Sequence, residues 1–347
     1  MKFYTKQHPY YCGIDLHARS LYVCILDQGG DTCVHKEISA SPDKLQALLE
    51  PYLGHIVVGV ECMHCWYWVA DFCDALGVEF ILGHALYMRA IHGGKAKNDR
   101  IDSYKIANLI RGGNFPLAYV YPKTLRATRD LLRRRTKLVR HGADLKAHVA
   151  NTTSQYNLPP NKVNLKNVGA RAQLKTAFPD PVVQKNMDLN MAVLDCYAKE
   201  LSKIEWFIEQ QAKQHNPIHL HLLKTISGIG RILALTIIYE IGDIQRFASV
   251  QTFASYARLV KCKAESAGKS YGTQGNKIGN AHLKWAFSEA AVLYLRGNKK
   301  AQKYLQQLQQ RMSKAKALSA LAHKLGRCVY FMLKNETVFD ETRFLKG

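Results

Sequence analysis

No long apolar segment occurs in the sequence, and its absence excludes a protein that crosses a membrane. The longest apolar run, Ile232–Tyr239, is interrupted by Thr236 and is far shorter than the roughly 20 residues that a transmembrane helix needs. The N-terminal residues, MKFYTKQHP, also lack the apolar core of a signal peptide. We therefore expect a cytoplasmic protein.

A full set of paired cysteines is lacking, because the number of cysteines is odd. The nine cysteines are scattered over 347 residues, which indicates reduced thiols rather than a disulfide framework. Cys62 and Cys65, with His64 between them, could supply half of a zinc site, but no second pair follows at zinc spacing. A structural zinc site is therefore the weaker interpretation of these residues.

Acidic residues are rare in the second two thirds of the chain. Residues 1–110 contain 10 Lys and Arg and 12 Asp and Glu, whereas residues 111–347 contain 39 Lys and Arg and 15 Asp and Glu. The formal net charge of +22 therefore comes from the second part alone. A polyanion is the natural partner of such a chain, and nucleic acid is favoured over a membrane because no long apolar segment accompanies the charge.

The N-terminal third has the pattern of an α/β sheet whose first part is antiparallel. Short apolar stretches bounded by turn residues predict strands over Tyr11–Ile14, Leu21–Asp27, Thr32–Ile38, His55–Val60 and Val78–Leu82. Helices are predicted after Ser41 and over Trp66–Leu76. Three strands in hairpins, followed by strands that alternate with helices, are typical of an α/β fold.

Asp15 lies inside the first of these strands, in the stretch Cys12-Gly13-Ile14-Asp15-Leu16-His17. A buried carboxylate is costly unless a cation or neighbouring backbone amides compensate its charge. A divalent cation such as Mg²⁺ would need further oxygen ligands from other elements. For Asp15 alone the sequence leaves both alternatives open.

Three further acids could complete a metal site. Glu61 closes a buried strand, and Asp99 and Asp102 lie three residues apart at the start of a predicted helix, so that they project from one face. Acids in the first turn of a helix also complement the helix dipole, which is the alternative explanation for this pair. Four carboxylates in the order Asp, Glu, Asp, Asp are harder to attribute to capping.

The middle of the chain is predicted to form two long helices, Thr124–Ala150 and Pro181–Gln214, separated by a loop over 161–180. They could form a helical hairpin that spaces two domains apart or pairs with another protomer. Nine basic residues and two acids lie between Lys123 and Lys146, whereas a merely solvated face mixes the two signs. We therefore expect the first helix to bind backbone phosphates. The predicted contact residues are Arg126, Arg129, Arg133, Arg134, Arg135, Lys137 and Arg140.

The last third begins with a helix, the turn Gly228-Ile229-Gly230 and a second helix. This is the pattern of a helix-hairpin-helix that grips a phosphate through Gly228 and Gly230, or else of a plain tight connection. The segment 258–284, rich in Gly, Ser and Lys, is predicted to be a surface loop whose Lys269 and Lys277 contact nucleic acid. Ser266 in this loop becomes a nucleophile only where a base, a metal or positive charge stabilises its alkoxide.

Together these segments resemble the DEDD transposases of bacterial insertion sequences, a group described as bridge-RNA-guided recombinases and related to the Piv DNA invertases. The resemblance covers nearly the whole chain. Its N-terminal part consists of Gly13-Ile14-Asp15, Val60-Glu61 and Asn98-Asp99-Arg100-Ile101-Asp102. Its C-terminal part consists of Gly228-Ile229-Gly230, Leu259-Val260, Ser266, Gly268, Lys277, Gly279-Asn280 and Leu283-Lys284.

The resemblance implies an α/β ribonuclease-H-like fold of the RuvC type at the N-terminus. The implied domains are a RuvC-like catalytic domain over 1–115, a basic α-helical hairpin or coiled-coil linker over 116–216, and a mainly α-helical C-terminal transposase domain with a helix-hairpin-helix over 217–347.

The resemblance also implies a mechanism. Asp15, Glu61, Asp99 and Asp102 would bind Mg²⁺, or Mn²⁺ in its place, while Ser266 attacks a DNA phosphodiester and forms a covalent protein–DNA link. Ser270 lies nearby and is the alternative nucleophile, because Glu265-Ser266-Ala267-Gly268 departs from the family's usual Ser-Ser-Gly-Gly. The implied partners are donor and target DNA, a noncoding bridge RNA, and further copies of the chain in a homodimer or homotetramer.

Two other functions fit the same residues. A RuvC-like junction-resolving nuclease would attack with metal-activated water and leave free 5′-phosphate ends. A nucleic-acid-binding protein would use the acids only structurally, so that Asp15→Asn would change no activity.

Overall fold

The computed structural model describes residues 2–91, 98–158, 165, 167–267, 269–274 and 278–346, with only the backbone at 89, 90, 262–266 and 270–274. The chain divides into two compact units, Met1–Lys123 and Thr124–Gly347. Among the described helices, none is both long enough and apolar enough to cross a bilayer.

The first unit is built on a mixed five-stranded sheet in the order β4-β3-β2-β5-β6. Its strands are β2 (Tyr10–Leu16), β3 (Ser20–Asp27), β4 (Thr32–Ser39), β5 (Ile56–Glu61) and β6 (Glu79–Gly83), while β1 (Phe3–Tyr4) pairs separately with β7 (Phe115–Pro116). Strands β2, β3 and β4 are antiparallel, whereas β5 and β6 run parallel to β2. The predicted mixed α/β sheet is confirmed, and its strand order is compatible with a ribonuclease-H-like domain.

Four helices accompany this sheet in the described part of the unit. They are α1 (Pro42–Leu49), α2 (Tyr67–Ala75), α3 (Ala85–Ile91) and α4 (Asp99–Arg111), with one 3₁₀ turn at Glu50–Tyr52. Helix α4 lies directly on the centre of the sheet because two glycines, paired in register on β2 and β5, leave room for it. A Cβ on Gly13 would lie 2.2 Å from the Ala107 backbone nitrogen, and a Cβ on Gly59 would lie 2.5 Å from Ile110 Cδ1.

The second unit is mainly helical. Its helices are α5 (Lys123–Gln155), α6 (Val168–Thr176), α7 (Pro181–His215), α8 (Pro217–Lys224), α9 (Arg231–Ile241), α10 (Val250–Tyr256), α11 (Ala281–Tyr294), α12 (Lys299–Gln309), α13 (Lys314–Asn335) and α14 (Glu341–Leu345). A 3₁₀ turn, Ile244–Arg246, follows α9. Every residue of α9 from Leu233 to Ile241 is buried, and α11 and α13 belong to the same core.

Helix α6 corrects the prediction of a loop over 161–180. Asn167 caps the helix by accepting a hydrogen bond from the Ala170 N–H, and Leu174 is buried with Val149 and Met187 of the two long helices. A helix of nine residues with one buried side chain has almost no apolar periodicity, so the sequence pattern did not reveal it.

A two-stranded antiparallel hairpin corrects the prediction of an irregular loop over 258–284. Strand β8 (Cys262–Ser266) pairs with β9 (Lys269–Gln274), and Ser266 lies opposite Lys269 beside a turn in which Ala267 has φ of +50°. Backbone hydrogen bonds hold this pair together, and the segment carries no alternation of apolar residues from which strands could be predicted.

Candidate active site

Asp15 is a half-buried acid in the sheet of the first unit. It lies on β2, the middle strand of the sheet, and its side chain is only 15% exposed. Alternate residues of a strand face the same side, so Asp15 shares a face with Gly13, against which α4 packs. The strand therefore directs this carboxylate towards the N-terminal end of α4.

Asp99 and Asp102 occupy the first turn of α4. The capping hydrogen bond at this end comes from Asn98, whose side-chain oxygen accepts from the Ile101 N–H at 2.7 Å. Neither acid is needed to cap the helix, although both complement its dipole. Asp102 lies 3.6 Å from the Lys105 ammonium, whereas Asp99 faces His17, the residue that follows β2.

His17 is the site residue to which the sequence analysis gave no role. Its Nε2 lies 3.4 Å from an Asp15 oxygen and 3.3 Å from an Asp99 oxygen. The signal was its position two residues after Asp15, which places both side chains on one face of the chain as β2 ends. Among the described residues, Asp15, His17 and Asp99 form the group whose ligand atoms all lie within 4.8 Å of one another.

The electrostatics of Asp15 favour a bound cation. Burial raises the pKa of the Asp15 carboxyl above its ordinary value, nearby His17 opposes that shift, and the negative charges of Asp99 and Asp102 raise the pKa further. A carboxylate that is disfavoured by burial and by like charges gains most from a divalent cation between them. Two carboxylates and an imidazole at this spacing therefore fit a divalent metal ion.

Glu61 is placed near this group by strand register. Ile14 pairs with Val60 in parallel, so Glu61 lies level with Asp15 on the neighbouring strand, and it follows Gly59 on the face covered by α4. It lies outside the close group formed by Asp15, His17 and Asp99. Cys62 and Cys65, the candidate half of a zinc site, also contribute nothing to a metal-binding group among the described residues.

Two family models match separate parts of the chain. A model of DEDD transposases of the IS110 type, described as "Transposase", matches residues 12–158 and so includes all four acids. A second, described as "Transposase IS116/IS110/IS902 family", matches residues 220–306. The chain is a DEDD transposase of the IS110 family. None of the curated proteins compared with it matches.

Membership gives this transposase its class of activity. It is an enzyme that acts on DNA, and its family uses divalent metal ions. Of the four predicted acids, three lie near one another where β2 meets α4, namely Asp15, Asp99 and Asp102, with Asp15 and Asp99 closest. Their individual roles as metal ligands stay predictions.

The basic helix α5 of the transposase has two kinds of cationic residue. Arg129 and Arg133 donate hydrogen bonds to Glu240 of α9, and Arg135 donates to Glu205 of α7 at 2.8 Å. Arg126 is also buried. Arg129, Arg133 and Arg135 thus pair with acids of the second unit's own helices, which their sequence did not indicate. Arg134, Lys137 and Arg140 are exposed, and phosphate contact stays a prediction for them.

Glu240 is the centre of this internal network. Its carboxylate is 1% exposed and accepts from Arg133 at 2.6 and 2.9 Å, and from the Asn280 amide at 2.7 Å. Burial alone would raise the pKa of Glu240, but the hydrogen bond from Arg133 and the charges of Arg129 and Arg133 hold that pKa at about 2. The glutamate is thus fully charged at neutral pH.

The Gly228-x-Gly230 turn has a packing explanation at its first glycine. Gly228 has φ of +88°, and a Cβ there would lie 2.5 Å from the Tyr294 backbone nitrogen of α11. Gly230 precedes α9 and faces open space, while the adjacent Arg231 pairs with Glu205 and Glu209. Phosphate binding by this turn stays a prediction.

The predicted nucleophile and its basic neighbours lie at the β8–β9 hairpin. Ser266 is the last residue of β8, and its described part is the backbone. Lys269 begins β9 and is exposed. Lys277 lies outside the described residues.

Proposed function

We propose that this transposase cleaves and rejoins DNA through a covalent serine–phosphate intermediate, with Mg²⁺ bound by Asp15, Glu61, Asp99 and Asp102. One observation supports the metal site. Asp15 and Asp99 are far apart in sequence, yet a carboxylate oxygen of each lies close to the same atom, His17 Nε2. Mn²⁺ would serve in place of Mg²⁺ because both ions accept carboxylate ligands.

The proposed chemistry is a transesterification that conserves phosphodiester bonds. The Ser266 hydroxyl gives up its proton as its Oγ bonds to phosphorus, and the bond from phosphorus to one deoxyribose oxygen breaks. The released deoxyribose oxygen takes up a proton. A deoxyribose hydroxyl of another strand then attacks the same phosphorus, which restores the serine and joins the new strand. A divalent cation at the acids would stabilise negative charge on the phosphate oxygens.

We also propose that a noncoding bridge RNA guides this reaction and that the enzyme works as a homodimer or homotetramer on donor and target DNA in the bacterial cytoplasm. The charge of the chain supports a large nucleic-acid partner, since residues 111–347 hold 39 basic residues against 15 acids. The exposed Arg134, Lys137 and Arg140 of α5 are the proposed RNA contacts. The turn at Gly228 and Gly230, with Lys269 and Lys277, would add contacts to backbone phosphates.

The test uses the nucleic acid that the protein carries. The full chain is purified from cells, the bound RNA is sequenced, and labelled DNA that matches it is added with Mg²⁺. We expect a protein–DNA adduct that survives denaturation and disappears after protease treatment. Ser266→Ala should abolish the adduct while RNA binding is retained, whereas the matched control Ser270→Ala should still form it.

Two outcomes would contradict the proposal. Free 5′-phosphate ends without an adduct would identify a nuclease that uses activated water. An adduct that is lost with Ser270→Ala and retained with Ser266→Ala would move the nucleophile to Ser270.

A further inference from the structure

We propose that His17 is itself a ligand of the divalent cation, so that the metal site contains an imidazole nitrogen beside its carboxylates. This inference rests on the metal site of the proposed function and extends it to a residue outside the four acids of the family signature. It concerns a single atom, Nε2 of His17.

The position of Nε2 is the first observation. The atom is buried and, among the described residues, has no partner at normal hydrogen-bond geometry, although it lies 3.4 Å from an Asp15 oxygen and 3.3 Å from an Asp99 oxygen. Neighbouring ligand atoms around an octahedral ion with bonds of about 2.1 Å are about 3 Å apart. The spacing of the nitrogen from both oxygens is thus close to that of ligands sharing one ion.

The backbone at His17 is the second observation. The His17 N–H donates to the Ser20 carbonyl at 3.0 Å, which closes the turn between β2 and β3. His17 follows Asp15 by two residues, so the central strand and its turn place both side chains over the start of α4. The imidazole therefore approaches the acids from a fixed backbone rather than from a flexible loop.

A nitrogen ligand changes which metal ion the site prefers. Mg²⁺ favours oxygen ligands and keeps several waters, whereas imidazole is a better ligand for transition metals such as Mn²⁺. We therefore expect this enzyme to bind Mn²⁺ more tightly than Mg²⁺, and this preference to depend on His17.

The experiment detects the ligand directly. Mn²⁺ is titrated into the full-length protein and followed by electron paramagnetic resonance, and pulsed measurements then report whether a ¹⁴N nucleus is bonded to the ion. We expect ¹⁴N coupling in the natural protein. His17→Gln should remove the coupling and weaken Mn²⁺ binding about tenfold or more, with a smaller effect on Mg²⁺ measured by competition.

A matched variant and two contrary results complete the test. His55→Gln changes an exposed histidine of the same unit and should leave the coupling and both affinities unchanged. Bound Mn²⁺ without ¹⁴N coupling, or coupling that persists in His17→Gln, would show that His17 is only a neighbour of the acids. Failure to bind Mn²⁺ at all would instead overturn the metal site of the proposed function, and this inference with it.

Discussion

Position 13 has no side chain because α4 crosses β2 there. The backbone atoms Ala107 N and Ser103 O occupy the space of a Cβ, at 2.2 and 2.4 Å from where it would be. Backbone atoms cannot rotate away as a side chain can. The distance between Asp15 on the strand and Asp99 on the helix therefore depends on the glycine between them.

We predict that Gly13→Ala displaces α4 and separates the acids. Overpacking of this kind costs about 1–3 kcal/mol, and contact with backbone places this position at the upper end. Hydrogen–deuterium exchange should accelerate in β2 and α4, and Mn²⁺ binding should weaken because Asp99 no longer meets Asp15.

Gly142→Ala is the control for this substitution. Gly142 lies within α5, where the nearest atoms to an added Cβ are 3.8 Å away, so alanine should stabilise the helix by up to about 1 kcal/mol. Unchanged exchange in α4 of Gly13→Ala would show that the helix can shift without loss, contrary to our account.

The sequence identified the acids of the candidate site but not the residues that contact them. An acid inside an apolar strand and two acids at a helix start are visible in the sequence, and the structure brings Asp15 and Asp99 together. In the sequence, His17 looks like any polar residue at the end of a strand. Its proximity to Asp99 results from the packing of α4 on the sheet, which the sequence does not show. The pairing of Arg129 and Arg133 with Glu240 could not be predicted for a similar reason, since Glu240 is distant from them in sequence.

Among the elements, three helices of the second unit meet at one carboxylate. Glu240 of α9 accepts from Arg129 and Arg133 of α5 and from Asn280, the residue that caps α11. The Asn280 oxygen accepts from the His282 and Leu283 N–H groups at the same time. This network joins the basic helix to the core of the unit.

We predict that Glu240→Gln destabilises this junction by about 3–5 kcal/mol, because two guanidinium groups lose their counter-charge inside the protein. The effect should also depend on pH. The pKa of Glu240 is held at about 2, below its ordinary 4.5. Its stabilisation is therefore complete above pH 4.5 and is lost as the pH falls towards 2.

Hydrogen–deuterium exchange in α9 and α11 measures this effect locally, at pH 7 and at pH 3. The natural protein should lose protection between these values, whereas Glu240→Gln should be weakly protected at both. Glu289→Gln alters an exposed glutamate of α11 and serves as the control. Equal protection of Glu240→Gln and the natural protein would mean that the network adds no stability.

The elements that the sequence predicted are those with strong apolar patterns. The predicted strands over Leu21–Asp27 and His55–Val60 and the helix over Pro181–Gln214 match β3, β5 and α7 to within one residue at each end. Two elements lie in segments predicted to be loops: α6 has a single buried side chain, and the β8–β9 hairpin depends on backbone pairing. Their stability comes from neighbours rather than from local pattern.

Across the whole molecule, positive charge is concentrated in the second unit. Binding to a polyanion through such a surface releases condensed counterions, so affinity falls with salt by a log–log slope near 0.9 for each phosphate contacted. The asymmetry was readable from the sequence, because it needs only the order of charged residues. The sequence did not show which of these charged side chains face solvent, since Arg126 and Arg129 are buried.

We predict that the double substitution Arg134→Glu with Lys137→Glu weakens RNA binding and lowers its salt slope by about 2. Both residues are exposed on α5. The control is Lys36→Glu with Lys44→Glu, which changes the net charge equally on exposed positions of the first unit. Fluorescence anisotropy over a range of salt concentrations measures both. If the two double substitutions weakened RNA binding equally, the effect would be due to net charge alone and not to contacts on α5.

The position of β2 in the middle of its sheet has a consequence for synthesis on the ribosome. One neighbour, β3, follows at once, whereas β5 is translated about halfway through the N-terminal unit and α4 only near its end. At about 5–20 residues per second, the surface around Gly13 and Gly59 stays uncovered for several seconds. A chain that ends before Asp99 lacks two of the four acids proposed to bind the metal ion, and we expect it to be unable to cleave DNA.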